Sequence, residues 1–167
     1  QLSVQRTPAT DLLLTAFTSI GDGACLLLLS LLICSHFWTR GQRRLVTHWL
    51  AAVIALAIGN QLLKYGLAIP RPHLIVSPPS SYAFPSAHTG NSTLFLLLLA
   101  GFVGTTLRSG YRRLVHGLVA LGILLMGFTR LYLGVHWLTD VVGGALLATA
   151  VAAFTVWHYH RPAQNHP

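Results

Sequence analysis

Three groups of residues in this chain carry side chains able to do chemistry: Lys64–Pro72 (KYGLAIPRP), Pro85–His88 (PSAH) and Arg130–Asp140 (RLYLGVHWLTD). Between them they hold a lysine, two arginines, two histidines and an aspartate, in a chain with only 3 acidic residues. Lys64 and Arg71 precede the rigid backbone of Pro72, which directs two cations toward one spot, and a phosphate would neutralise both. Two basic residues at a helix end also serve as plain anchors, their stems in lipid and their heads in water. Ser86, Ala87 and His88 open an apolar segment, where free backbone N–H groups and the positive helix end favour an anion. A serine in that position is also an ordinary helix cap.

His136 and Asp140 are four residues apart, which on a helix puts them on one face. The carboxylate can then accept from one imidazole nitrogen and leave the other as a nucleophile. Arg130 can clamp phosphate oxygens through two parallel N–H donors. A helix-stabilising ion pair is the structural alternative for His136 and Asp140. However, Asp140 is the only acid after residue 22, and a carboxylate buried in a membrane is costly enough to need a function.

The elements that must position these groups are membrane helices. Hydrophobic residues make up 53% of the chain and charged residues 8%, far below the roughly 25% charge of soluble domains. The predicted fold is all-α, a polytopic membrane bundle forming a single domain over residues 1–167. Thr7 and Pro8 start a short interfacial helix that stops at the Gly21-Asp22-Gly23 breaker. Five spans follow, at about 23–38, 45–67, 87–107, 112–129 and 136–158, each near the length a bilayer demands. The loop 68–85 holds Pro70, Pro72, Pro78, Pro79 and Pro85 and cannot be helical in lipid. Cys25 and Cys34 lie about 13 Å apart along one helix and cannot pair.

The net charge of +8 sits in short clusters between apolar runs and not along a polar face, which argues against nucleic acid. Arg40, Arg43, Arg44, Arg108, Arg112, Arg113 and Arg161 mark the cytoplasmic side, against Arg6, Lys64, Arg71 and Arg130 on the other. Trp38, Trp49 and Trp157 are expected at the inner membrane boundary and Trp137 at the outer. This topology puts residue 1 outside, so a segment preceding Gln1 is expected.

The three groups resemble the signature motifs of the type 2 phosphatidic acid phosphatase (PAP2) superfamily, which also includes vanadium haloperoxidases. They occur in the family's order and the match covers most of the chain. Lys64, Arg71 and Pro72 meet the first motif. Pro85, Ser86 and His88 meet the second, with Ala87 in the place of glycine. Arg130, His136 and Asp140 meet the third, with Thr129 in the place of serine. Ala87 is compatible if its φ stays negative, and Thr129 keeps a hydroxyl.

The resemblance implies that His136 attacks phosphorus, Asp140 supports it, and His88 protonates the leaving oxygen and then activates water. It also implies that Lys64, Arg71, Arg130, Ser86 and the backbone at Ala87 bind the phosphate oxygens. No metal or other cofactor is implied. Independently, a chain with no glutamate and only Asp11, Asp22 and Asp140 has few oxygen ligands for a two-metal site. Asn60 and Asn91 are candidate supports, and His73, Tyr82 and Phe84 candidate headgroup contacts.

The implied substrate is a phosphorylated membrane lipid, with phosphatidate, phosphatidylglycerol phosphate, undecaprenyl pyrophosphate and phosphorylated lipid A all open. The expected location is a bacterial inner membrane with the site facing the periplasm or exterior. A lipid phosphotransferase, a non-catalytic scaffold or lipid-transfer protein, and a haloperoxidase are the competing readings.

Overall fold

The computed structural model describes residues 7–72, 81–104 and 107–161. Six helices make up the described chain: α1 (Pro8–Ile20), α2 (Gly23–Thr39), α3 (Arg43–Leu67), α4 (Ala87–Val103), α5 (Ser109–Tyr132) and α6 (Leu138–His160). Thr7 caps α1 through its side chain and Pro8 occupies the first turn, as the sequence predicts. Asp22 caps α2 by accepting from the N–H of Ala24 at 2.9 Å. The Gly21-Asp22-Gly23 breaker is therefore an elbow, and α1 and α2 are bent by 41° across it.

Three helices, α3, α5 and α6, are long and apolar enough to cross a membrane, and the bent pair α1 and α2 makes up to four. Helix α4 has 17 residues, about 25 Å of rise against a hydrocarbon core of about 30 Å. It is nevertheless the central element, packed against α2, α3, α5 and α6. The outward faces carry Leu27, Leu28, Leu62, Leu124, Leu146 and Phe154 exposed, as lipid-facing surfaces do.

Trp49 departs from its expected place at the membrane boundary. It is fully buried and lies 5.8 Å from the ring of Phe95 and 6.0 Å from that of Phe102, so it is a core residue between α3 and α4. Trp38, Trp137 and Trp157 are each about half exposed. Both cysteines are free, with Cys34 in the core.

Close approach of α4 to α6 depends on glycine. A Cβ on Gly144 would lie 2.5 Å from the Ser86 carbonyl oxygen, and one on Gly143 would run into the Phe84 ring. Without those methyls the start of α4 meets the start of α6, in the small-residue packing that membrane helices use in place of a hydrophobic driving force. The Ser86 N–H donates to the Asp140 carbonyl at 2.9 Å, which ties the second motif to the third.

Gly144→Ala should therefore destabilise the protein by about 1–3 kcal/mol, the usual cost of overpacking. Gly117→Ala, where an added Cβ meets nothing within 4 Å, should be tolerated. Thermal unfolding of the two variants in detergent gives the comparison, and equal melting temperatures would contradict it.

Candidate active site

All three motifs converge at one end of the bundle. Lys64 lies in the last turn of α3, buried, and its Nζ donates to the Tyr82 carbonyl at 2.7 Å. The helix ends there because Ala68 adopts a left-handed conformation (φ 47°) and its N–H closes back on the Lys64 carbonyl.

Arg71, in the following loop, donates from Nε to the Ser81 carbonyl at 2.8 Å and from Nη2 to Ser81 Oγ at 3.0 Å. Its Nη1 donates to the Val135 carbonyl at 2.9 Å and reaches His136 Nε2 at 3.2 Å. Arg130, in the last turn of α5 and buried, donates from Nη1 to Thr18 Oγ1 at 3.1 Å, while its Nε has no protein partner. Among the described residues none of the three cations forms a salt bridge.

His136 and Asp140 meet, but not on a helical face as the spacing suggested. Helix α6 begins at Leu138, so His136 lies before the Trp137 cap and Asp140 is the third helical residue. The Asp140 carboxylate caps the helix by accepting from the Trp137 N–H at 2.8 Å, and the same Oδ2 lies 3.2 Å from His136 Nδ1. Trp137 itself has only donors in its side chain, so the box is closed from the Asp140 side alone. Gly134, at φ 68°, allows the reversal between α5 and α6.

The contacts of His136 settle its tautomer. Arginine cannot accept a hydrogen bond, so the Nε2 that meets Arg71 must hold a lone pair, and the ring proton sits on Nδ1 facing Asp140. Burial pushes the pKa of the ring from 6.5 down to about 3, reinforced by the charges of Arg71, Arg130, Lys64 and His88 in that order. Burial and the neighbouring charges thus favour the neutral imidazole, with its Nε2 lone pair directed at Arg71.

Ser86 caps α4 as expected. Its Oγ accepts from the Thr89 hydroxyl at 3.1 Å and, at a long 3.5 Å, from the Thr89 N–H, which leaves its own proton to donate. Ala87 opens the helix, and Ala68 is the only non-glycine with positive φ among the described residues, so Ala87 meets the condition set for it. His88, partly exposed, has Nε2 3.9 Å from Asp22 Oδ2. Asp22 lies on the α1–α2 elbow, far from the motifs in sequence, and no sequence signal marked it.

Thr129 does not face the cations. Its hydroxyl donates to the Met126 carbonyl at 2.7 Å and reaches Thr18 Oγ1, the residue that holds Arg130. Phe84 packs on Gly143, and Tyr82 engages the cations through its backbone carbonyl. Asn60 is buried beside Gly90, and the Asn91 side chain lies near Gly23. His73 lies outside the described residues.

Comparison with known proteins agrees with the motifs. The PAP2 superfamily profile matches residues 45–163. Phosphatidylglycerophosphatase B of Bacillus subtilis (strain 168) is 30% identical over 148 residues, covering 83% of this chain and 70% of its own length. Undecaprenyl-diphosphatase of Sulfolobus acidocaldarius is 30% identical over 118 residues, and the chain spans about half of it: 66% of this chain is covered and 53% of the relative. The crystal structure of the transmembrane PAP2-type phosphatidylglycerolphosphate phosphatase from Bacillus subtilis superimposes with a TM-score of 0.85 at 24% identity, over 99% of this chain and 84% of that one. Helical fold and relatives together define an integral membrane phosphatase. The chain belongs to the PAP2 superfamily.

Because Arg71 is the second cause of the low His136 pKa, Arg71→Ala should raise that pKa from about 3 toward 6.5. NMR titration of labelled histidine, with His136→Gln to assign the signal, reads the change. An unchanged or lower value would contradict the electrostatics described.

Proposed function

We propose that this protein hydrolyses a phosphate or diphosphate monoester of a membrane lipid through a phosphohistidine on His136. The observation that carries the reading is the gathering of three cations around a neutral imidazole, Lys64 and Arg130 buried and Arg71 half-buried against its lone pair, none in a salt bridge with a carboxylate among the described residues. An unpaired buried ion costs several kcal/mol. A phosphate dianion is the ligand whose charge and acceptor geometry suit that cluster.

In this reading His136 Nε2 attacks phosphorus in line with the leaving oxygen. Asp140 holds the Nδ1 proton and the ring, and supports the charge that develops as the N–P bond forms. Lys64, Arg71, Arg130, Ser86 and the N–H groups opening α4, starting with that of Ala87, bind the equatorial oxygens, the main catalytic task in phosphoryl transfer. His88 protonates the leaving alkoxide or phosphate, then takes a proton from the water that breaks the phosphohistidine.

The lipid tail lies along the apolar faces below the site, and α4 crosses the membrane as a fifth span inside its ring of neighbours. The basic clusters at the opposite helix ends support an active face directed away from the cytoplasm, in a bacterial inner membrane. The names of the relatives favour phosphatidylglycerol phosphate and undecaprenyl diphosphate as the first substrates to assay, with phosphatidate and phosphorylated lipid A beside them.

Phosphate release from this panel, in EDTA, should fall by about 10³-fold or more in His136→Ala. Vanadate, which adopts the five-coordinate geometry of the transition state, should inhibit the parent protein. Turnover that survives His136→Ala, or that vanadate leaves untouched, would refute the phosphohistidine route.

A further inference from the structure

We propose that Asp22, on the elbow between α1 and α2, is the positioning carboxylate of His88, as Asp140 is of His136. The inference rests on the role proposed for His88 and extends it to a residue outside all three motifs.

The elbow is fastened to the site from two sides. A Cβ on Gly21 would lie 2.5 Å from Met126 Cε of α5 and 2.7 Å from Ser92 Oγ of α4, so no side chain fits between the elbow and these helices. One turn earlier, Thr18 Oγ1 accepts from Arg130 Nη1. Asp22 itself is oriented by its capping bond, in which Oδ1 accepts from the Ala24 N–H at 2.9 Å. That bond orients the half-exposed carboxylate, and Oδ2 lies 3.9 Å from His88 Nε2.

This separation is longer than a direct hydrogen bond, so in the free protein the contact is electrostatic. Catalytic contacts of this kind commonly tighten when substrate binds. The other charged groups that His88 faces are Arg130 and Arg71, both cations, while the Asp140 carboxylate is occupied by His136 and the Trp137 N–H. Asp22 is therefore the anion available to an imidazolium at position 88.

The proton accounting suits this arrangement. With Nε2–H directed at Asp22 once substrate has tightened the contact, Nδ1 is the nitrogen that works. Its proton passes to the leaving oxygen as the P–O bond breaks and the His136 N–P bond forms. A proton from water then returns to it as the hydroxide oxygen bonds to phosphorus, the N–P bond breaks and inorganic phosphate leaves. Asp22 exchanges no proton, but it fixes the tautomer and stabilises the charged form.

Asp22→Asn separates this role from a structural one, because asparagine caps a helix as well as aspartate does. Parent, Asp22→Asn, Asp22→Glu, His88→Ala and His136→Ala, each as the full chain in detergent, are supplied with phosphatidylglycerol [³²P]phosphate and quenched in alkali, which preserves phosphohistidine. The expected result is a kcat about 10-fold lower in Asp22→Asn, with KM within twofold, an unchanged melting temperature and label still forming on His136. Asp22→Glu should regain part of the rate.

Asp22→Asn turning over like the parent, or losing activity together with its melting temperature, would overturn the role of Asp22 while leaving the His136 reading intact. A parent that never labels, or a label that persists in His136→Ala, would overturn that reading and this inference with it.

Discussion

Three positive side chains, Lys64 and Arg130 buried and Arg71 half-buried, meet at one end of a membrane bundle with no salt bridge to a carboxylate among the described residues, and the local structure is organised around that constraint. In place of counter-ions the chain supplies backbone carbonyls. Tyr82 takes Lys64, Ser81 and Val135 take Arg71, and the Thr18 hydroxyl takes Arg130. The described part of the loop between α3 and α4 thus runs where the cations need acceptors. These dipoles lower the cost of burial without cancelling the charge, so an arriving anion still finds net positive charge to bind. Carboxylates in the same places would have stabilised the resting protein and abolished the site.

A cluster of this kind works only if the groups around it are brought close and held. Close approach comes from small residues. The missing methyls at Gly143 and Gly144 let the Phe84–Pro85–Ser86 turn sit directly on α6, and the hydrogen bond from the Ser86 N–H to the Asp140 carbonyl locks the two motifs in register. Gly21 and Gly127 do the same for the elbow and for the contact of α5 with Val141 of α6. In a membrane, where burying apolar surface gains little because lipid is equally apolar, such backbone proximity is the main source of specific packing.

Much of this was legible in the residues. The cap residues Thr7 and Ser86 act locally, through rules that need only neighbours in sequence, and the cations stand out by their type and spacing alone. The errors concern contacts across the fold. The position of Trp49 near a helix end suggests the membrane boundary, yet α4 packs on α3 there and Phe95 and Phe102 lie against the ring. His136 and Asp140 do meet, but through the geometry of a helix cap, because the reversal at Gly134 delays the start of α6 until Leu138. Asp22 could not be found at all, since a Gly-Asp-Gly breaker reads as a turn and its approach to His88 depends on how α1 and α2 fold back against α4.

The resting contact between Arg71 and His136 links binding to chemistry. Arg71 Nη1 donates to the Nε2 lone pair that the proposed reaction needs free, and also to the Val135 carbonyl. A phosphate oxygen is a far stronger acceptor for guanidinium than a neutral imidazole is. Substrate would therefore draw Arg71 to itself and expose Nε2, with Asp140 still holding the opposite nitrogen in the correct tautomer. On the proposed reading, the cation that adds to burial in keeping His136 unprotonated also covers its lone pair until an anion competes for the guanidinium. Lysine in this place could not do both, because its single ammonium lacks the planar fork that holds Ser81, Val135 and His136 at once.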